Sequence, residues 1–549
     1  MNRGEPQCGA EVRRAARRAW RKWAVLAAVV FTGGLGTAAS AEPALKPEPG
    51  GLVPHPVITN RTTGRPFTIQ WRGLAGPYQV ERSQTLLPGS WKPVGAPTFD
   101  TTVSVPGDDP RGFLRVKTNP AYAGAETCLD CHPAIHNSWS QTVHAGALRT
   151  LEAIGQDRNA TCLPCHTVGH GLDTGFTDPS STPLLASVQC ENCHGPAFDH
   201  AQDPLGTRPP IVRAAEVCGG CHNGFHHPTY DEWMTSKHTE VTPTVAASLL
   251  STNSVARMQA CGPCHSGAVR LALLANRPLP SPEEAASTAI TCAVCHNPHQ
   301  QTANPSQLRN PIRSTDAFSY STAATNSFAA QYKPAVNVCG QCHNMRGATW
   351  QDTDRYPHYS PQYNIMIGNA GLAPEGITVP QSKHRDQPRQ CAGCHVHGHE
   401  PASPSAANPV YKGHDFQVSL QTCTQCHDEI VAELLWSSAQ ARVQAMMNKV
   451  QSQLETWAAT KSDPALRTKY GKLAWEYNTP GHLSNPAGDA AIRGPTRQEQ
   501  VQVPDAIKQA RFNLYLVYQD KSKGVHNRPY VLSLLTNALD KVTLELQNP

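Results

Sequence analysis

Nine times in this 549-residue chain two cysteines and a histidine recur as Cys-x-x-Cys-His. The copies are Cys128, Cys131 and His132; Cys162, Cys165 and His166; Cys190, Cys193 and His194; Cys218, Cys221 and His222; and Cys261, Cys264 and His265. Four more follow: Cys292, Cys295 and His296; Cys339, Cys342 and His343; Cys391, Cys394 and His395; and Cys423, Cys426 and His427. This is the spacing of c-type haem attachment. Two thiols lie close enough to bond the two vinyl groups of one porphyrin, and the imidazole that follows can ligate its iron. Zinc sites pair one Cys-x-x-Cys with another and have no need of His directly after the second Cys. The reading is therefore nine covalently attached haem c groups. Of the 19 cysteines only Cys8 lies outside the motifs, so no thiol is left to staple the fold.

The chain has 25 histidines, far more than the motifs use. Bis-His ligation of each iron explains the surplus; it closes the iron to substrate and favours electron transfer. The candidates for the second ligand are His144, His200, His227, His238, His299, His358, His384, His414 and His526, with His226 as a substitute for His227. His144 and His238 each stand five residues after a tryptophan, Trp139 and Trp233, which reads as a partial internal repeat. His200 follows a Gly-Pro, His299 sits in Asn-Pro-His, and His414 precedes a motif. His136, His170, His397 and His399 are near motifs and read as surface residues. The seven methionines cluster elsewhere, and the Met446–Met447 pair reads as core packing.

Several elements must hold these groups. Residues 13–41 read as a secretory signal: cationic Arg13–Lys22, an apolar run from Trp23 to Leu35, then Ala39-Ser40-Ala41. That run is shorter than the about 20 residues needed to span a bilayer. Residues 1–41 carry seven basic and two acidic side chains, the whole of the +5 net charge, so the processed chain has no basic stripe for nucleic acid. Residues 42–56 are a Pro- and Gly-rich linker. Residues 57–118 alternate in the strand manner at Phe67–Trp71, Tyr78–Glu81, Thr101–Val105 and Phe113–Val116, which predicts a small β-sandwich. Residues 119–430 form the nine-haem region, and 431–549 a helical region that completes it. There, Val443, Met446, Met447, Val450, Leu454 and Trp457, then Ile507, Leu514, Val517 and Tyr518, follow helical spacing. The fold class is mainly α with much irregular coil, packed around nine c-type haems, with a small N-terminal β-sandwich and long C-terminal helices.

Glu126 to His132, Trp139, His144, and Cys190 to Pro196 followed by His200 resemble the family of the tetrahaem cytochrome of ammonia oxidation. From Cys261 onward the chain resembles the pentahaem nitrite reductase and octahaem hydroxylamine oxidoreductase superfamily. The residues that carry this are Val338 to His343, Cys391 to His395, His414 before Cys423 to His427, and Gly524-Val525-His526-Asn527 in the tail. That resemblance implies long C-terminal helices at a dimer face. It also places the family's catalytic haem at Cys261, Cys264 and His265, where the reductases have Lys in place of His265, and Arg346 where they have Tyr.

Two functions compete. One is an exported nonahaem cytochrome passing electrons through mostly bis-His haems. It would serve redox partner proteins or a quinol-oxidising membrane complex, in the periplasm or at the cell surface. The chain would not span the membrane after signal removal, and could form a homo-oligomer. The other is an oxidoreductase acting on nitrite, hydroxylamine or a related oxyanion at His265, with Arg257, Arg346 and His358 binding the anion and delivering protons.

Overall fold

The computed structural model describes residues 57–60, 67–70, 78–84, 90, 92–95, 102–105, 113–118, 122–172, 174–209, 211, 213–302, 305–309 and 338–548. The signal segment, Cys8 and the linker read from the sequence lie outside the described residues. The chain divides into two compact units. The first is Met1–Asp231 with Asn297–Gln301 and Pro401–Pro409; the second is Glu232–His296, Thr302–Glu400 and Val410–Pro549.

In the first unit, alternating side chains build two antiparallel three-stranded sheets. One is ordered β1 (Val57–Asn60), β2 (Phe67–Gln70), β5 (Thr102–Val105); the other β4 (Lys92–Pro93), β3 (Tyr78–Ser83), β6 (Phe113–Thr118). Ile69 and Val105 from one sheet and Val80 and Leu114 from the other are buried in one apolar cluster. Strands β1 and β4 escape the sequence reading, since four residues and a Lys-Pro pair give little alternation to see.

After residue 122 the elements become short helices joined by irregular chain, and each Cys-x-x-Cys-His motif begins, ends or lies within one of them. The reason is local. One helical turn brings residues i, i+3 and i+4 to a common face, so both thiols and the imidazole point the same way. The turn closes through the motif's own backbone: the His N–H donates to the first Cys carbonyl at 2.8 Å for His132 and Cys128, 2.9 Å for His222 and Cys218, and 3.0 Å for His427 and Cys423.

The second unit ends in a larger apolar core. A 32-residue helix, Glu429–Thr460, is capped by Asp428, whose carboxylate accepts from Ile430 N–H at 3.0 Å. It buries Val443, Met447, Val450, Leu454 and Trp457 against the Asp505–Asp520 and Arg528–Gln547 helices. Met447 is core and Met446 packs on its edge, as the helical spacing predicts. Between the last two helices the chain turns through Lys521, Lys523 and Gly524, all with positive φ. Gly524, at φ +93°, lies so close to Val443 that a Cβ would sit 2.8 Å from its methyl carbon, a backbone approach only glycine allows. Among the described residues no helix is long and apolar enough to cross a membrane.

Candidate functional site

Eight of the nine motif imidazoles each face a second imidazole. In the first unit His132 faces His200 with ring centroids 6.4 Å apart, His222 faces His144 at 6.1 Å, and His194 faces His299 at 5.9 Å. In the second unit His343 faces His238 at 6.3 Å, His265 faces His358 at 6.0 Å and His296 faces His414 at 6.2 Å. There also His427 faces His384 at 6.4 Å and His395 faces His526 at 6.3 Å. These rings are too far apart to touch. An imidazole nitrogen sits about 2 Å from a bound metal and about 1 Å from its own ring centre, so two rings sharing one metal have centres about 6 Å apart. Eight motif histidines thus pair with eight of the nine histidines named from the sequence.

The ninth motif histidine is set differently. His166 uses Nδ1 on the Ala147 carbonyl at 2.8 Å, and among the described residues no ring stands at the same spacing from it. His227 lies exposed just before the Thr229–Trp233 helix.

The local scaffolds repeat. Trp139 Nε1 donates to the Val188 carbonyl at 3.2 Å, and Val188 N–H donates to the His144 carbonyl at 3.1 Å. Trp233 does the same to Ile290 at 3.2 Å, and Ile290 N–H to His238 at 3.1 Å. Val188 and Ile290 each lie two residues before a motif, Cys190 and Cys292. The tryptophan echo is therefore one building unit used in both halves. A second echo lies outside the sequence reading: Ser236-Lys237-His238 and Ser382-Lys383-His384 are the same tripeptide. In both, the Ser hydroxyl accepts the His N–H at 3.2 Å, fixing a short 3₁₀ turn.

Burial tunes the rings. It pushes His238 and His414 down to about 4, with the facing imidazole helping. Burial, then Arg346, then His265 and His343 push His358 down to about 3. Burial also lowers His144, His265, His296 and His395. At neutral pH these rings are neutral, the form that binds a metal. His526 goes the other way: burial opposes protonation, but the Asp520 charge and hydrogen bond raise its pKa. No sequence signal beyond a six-residue spacing marked Asp520.

One expectation is corrected. His136 is not a surface residue. The Pro133–Trp139 helix puts it one turn before Trp139, and the two rings pack at 5.4 Å with only 7 % of His136 exposed. Its ring nitrogens are buried without a hydrogen-bond partner, the nearest charge at Nε2 being Glu126 Oε1 at 3.7 Å. Buried polar atoms of Thr142, Thr291 and Gln390, each next to a motif or a facing histidine, are in the same condition. Such atoms call for a further polar group beside them, as the edge of a porphyrin would supply.

The thiols fit the same group. None of the eighteen described cysteines is in a disulfide, although thiols of different motifs touch. Hydrogen bonds join Cys128 to Cys190 and Cys165 to Cys221 in the first unit. In the second they join Cys264 to Cys342 and Cys339 to Cys391, and Cys394 lies near Cys423. Among the described residues no three of His, Cys, Asp and Glu converge as a tetrahedral zinc site requires. Of the candidate catalytic residues, His358 is the ring opposite His265. Arg346 is near both and donates to the Ala260 carbonyl at 3.1 Å, and Arg257 is exposed on the Ser254–Ala260 helix.

Comparison with known proteins finds cytochromes. A family described as cytochrome c554 and c-prime matches residues 127–195 and 338–415. The first stretch is the one likened above to the tetrahaem cytochrome; the second falls in the half likened to the reductases. Cytochrome c-554 of Nitrosomonas europaea is 29 % identical over 161 residues, covering 23 % of this chain and 67 % of that protein. The multiheme cytochrome MtrA of Shewanella baltica is 27 % identical over 287 residues, covering 43 % of this chain and 77 % of its own. The crystal structure of outer cell wall cytochrome OcwA superposes with a TM-score of 0.47 at 18 % identity, over 77 % of this chain and 99 % of the other.

Proposed function

This chain is a multihaem cytochrome c, and from that premise we propose that it is an exported electron relay carrying nine haem c groups, one on each Cys-x-x-Cys-His motif. Haem, once attached, supplies a one-electron ferric–ferrous couple. The protein's part is to tether, ligate and order the groups. Each thiol pair would fix one porphyrin and each motif histidine would ligate its iron, and in eight of the nine the facing histidine would supply a second ligand. His132 takes His200, His194 takes His299, His222 takes His144, His265 takes His358, and His296 takes His414. His343 takes His238, His395 takes His526 and His427 takes His384. The observation that carries the reading is this set of eight ring pairs at 5.9–6.4 Å. A closed coordination shell suits electron transfer better than substrate turnover.

Touching thiols set the order of the relay within each unit. Motif 1 adjoins motif 3 through Cys128 and Cys190, and motif 2 adjoins motif 4 through Cys165 and Cys221. In the second unit motif 5 adjoins motif 7, motif 7 adjoins motif 8, and motif 9 lies next to motif 8. Electrons would come from a redox partner protein or a quinol-oxidising membrane complex, in the periplasm or at the cell surface. The β module would act as a docking or spacer element, and the long C-terminal helices as a self-association face.

A second reading has one specific observation in its favour. Chemistry on a small ligand would fit His166, where among the described residues no facing ring stands at the common spacing, better than His265, which His358 faces. His227 is the sequence's candidate for that position. Intact-protein mass spectrometry and electron paramagnetic resonance of the oxidised protein test both readings. The relay expects the added mass of nine haems and at least eight low-spin irons. Fewer than eight low-spin irons in fully loaded protein overturns the ligand assignments, and a single high-spin iron favours chemistry at motif 2.

A further inference from the structure

Asp520 has no part in the relay as described, yet it sits against one of its ligands. Its carboxylate oxygen Oδ1 accepts from His526 Nδ1 at 2.6 Å, and its other oxygen accepts from the Ser522 hydroxyl. Asp520 is 2 % exposed at the end of the Asp505–Asp520 helix. Other imidazoles in the proposed ligand set rest Nδ1 on neutral oxygens. His200 uses the Thr207 carbonyl at 2.6 Å, His296 that of Ser306 at 2.7 Å, and His384 that of Val525 at 2.8 Å. His395, across from His526, uses the Phe416 carbonyl at 3.0 Å. His358 uses the Ser360 hydroxyl at 3.0 Å.

We propose that Asp520 is a positioning residue that lowers the reduction potential of the haem held between His395 and His526. The inference rests on the assignment of that pair as axial ligands. Two effects act in the same direction. A carboxylate that takes the ring's outer hydrogen bond makes the ligating nitrogen a stronger donor and fixes the tautomer. Its charge also stays one imidazole away from an iron that is one unit more positive when oxidised, in a buried setting where water screens little. Both favour the ferric state. Motif 8 touches motif 7 through Cys339 and Cys391 and lies near motif 9 through Cys394, so Asp520 governs the step between those neighbours.

The test is a spectroscopic redox titration of the full, haem-loaded protein with Asp520→Asn and Ser522→Ala. Asn keeps the shape and an accepting oxygen but removes the charge. Asp520→Asn should make one one-electron component at least tenfold easier to reduce, which is 59 mV for a single electron. Ser522→Ala removes a donor that draws charge from Asp520, so it should shift the same component the other way. Superimposable curves for Asp520→Asn and wild type, at unchanged haem mass and low-spin signal, overturn the proposal. So does a Ser522→Ala curve that is unshifted or shifted upward. His526→Ala separates this from the ligand assignment: if it leaves the low-spin count intact, the pairing of His395 with His526 is at fault and not the role of Asp520.

Discussion

The Glu232 carboxylate holds the loop that carries His414. One oxygen accepts from Lys412 N–H at 2.7 Å and the other from His414 N–H at 2.8 Å. The clamp joins the start of the second unit to a loop near the eighth motif, and it keeps the His414 ring opposite His296. Glu232→Ala leaves two backbone donors without their acceptor, at a cost of about 1–3 kcal/mol. Hydrogen exchange at Lys412 and His414 should speed up, and the low-spin signal of one iron should weaken. Unchanged exchange at both amides would show that the loop is held by something else.

His358 tests the ligand assignment at His265. Removing it as His358→Ala takes away the ring 6.0 Å from His265. One iron should then become high-spin and the ferrous protein should take up one more equivalent of carbon monoxide. A variant that keeps the wild-type spin count would place the ligand of the fifth motif elsewhere.

The matched tryptophans should behave as a matched pair. Trp139→Phe and Trp233→Phe each delete one indole hydrogen bond, to Val188 and to Ile290, and leave most of the packing. Each should cost about 0.5–1.5 kcal/mol in chemical denaturation. The irons that the relay assigns to His144 and His238 should show similar broadening of their low-spin signals. A large effect from one and none from the other would mean that the two units use the repeat differently.

Glu499 supplies an acid-sensitive contact in the C-terminal region. Lys469 Nζ at 2.8 Å, then Thr496 and the Tyr470 hydroxyl at 2.5 Å, hold its carboxyl down to about 2 from an ordinary 4.5. A folded-state pKa below the unfolded one stabilises the fold above pH 4.5 and loses that contribution as pH falls towards 2. Glu499→Gln should therefore be less stable than wild type at pH 6, and the gap should narrow below pH 4.5 and close only near pH 2. A gap that stays constant across that range would rule out the carboxylate as its source.

The attachment motifs are legible in the sequence because their chemistry is local. Two thiols and an imidazole within five residues need one helical turn and nothing else. The candidate second ligands are legible as residue types, by count and by flanking Trp, Gly-Pro or Asn-Pro. Their partners are not. His265 meets His358, and His395 meets His526, only once the chain between them has folded, and no spacing rule links the two. The helical tail is readable from its apolar period, whereas Glu232 and Asp520 are not, because a carboxylate that holds a loop or a ring looks like any solvated charge. His136 escapes for a similar reason: its burial is decided by Trp139 one turn on, inside a stretch with little apolar pattern.

The short Asn297–Gln301 segment belongs with the first unit although its chain neighbours on both sides belong to the second. It carries His299, the ring opposite His194. A polypeptide made from its N-terminus exposes His194 well before His299, with three further attachment motifs emerging in between. With His299 as the proposed second ligand there, completion of the third site waits on chain that comes later. A polypeptide cut after Asp231 would strand that site half-finished, so the two units are not separable products even though each is compact.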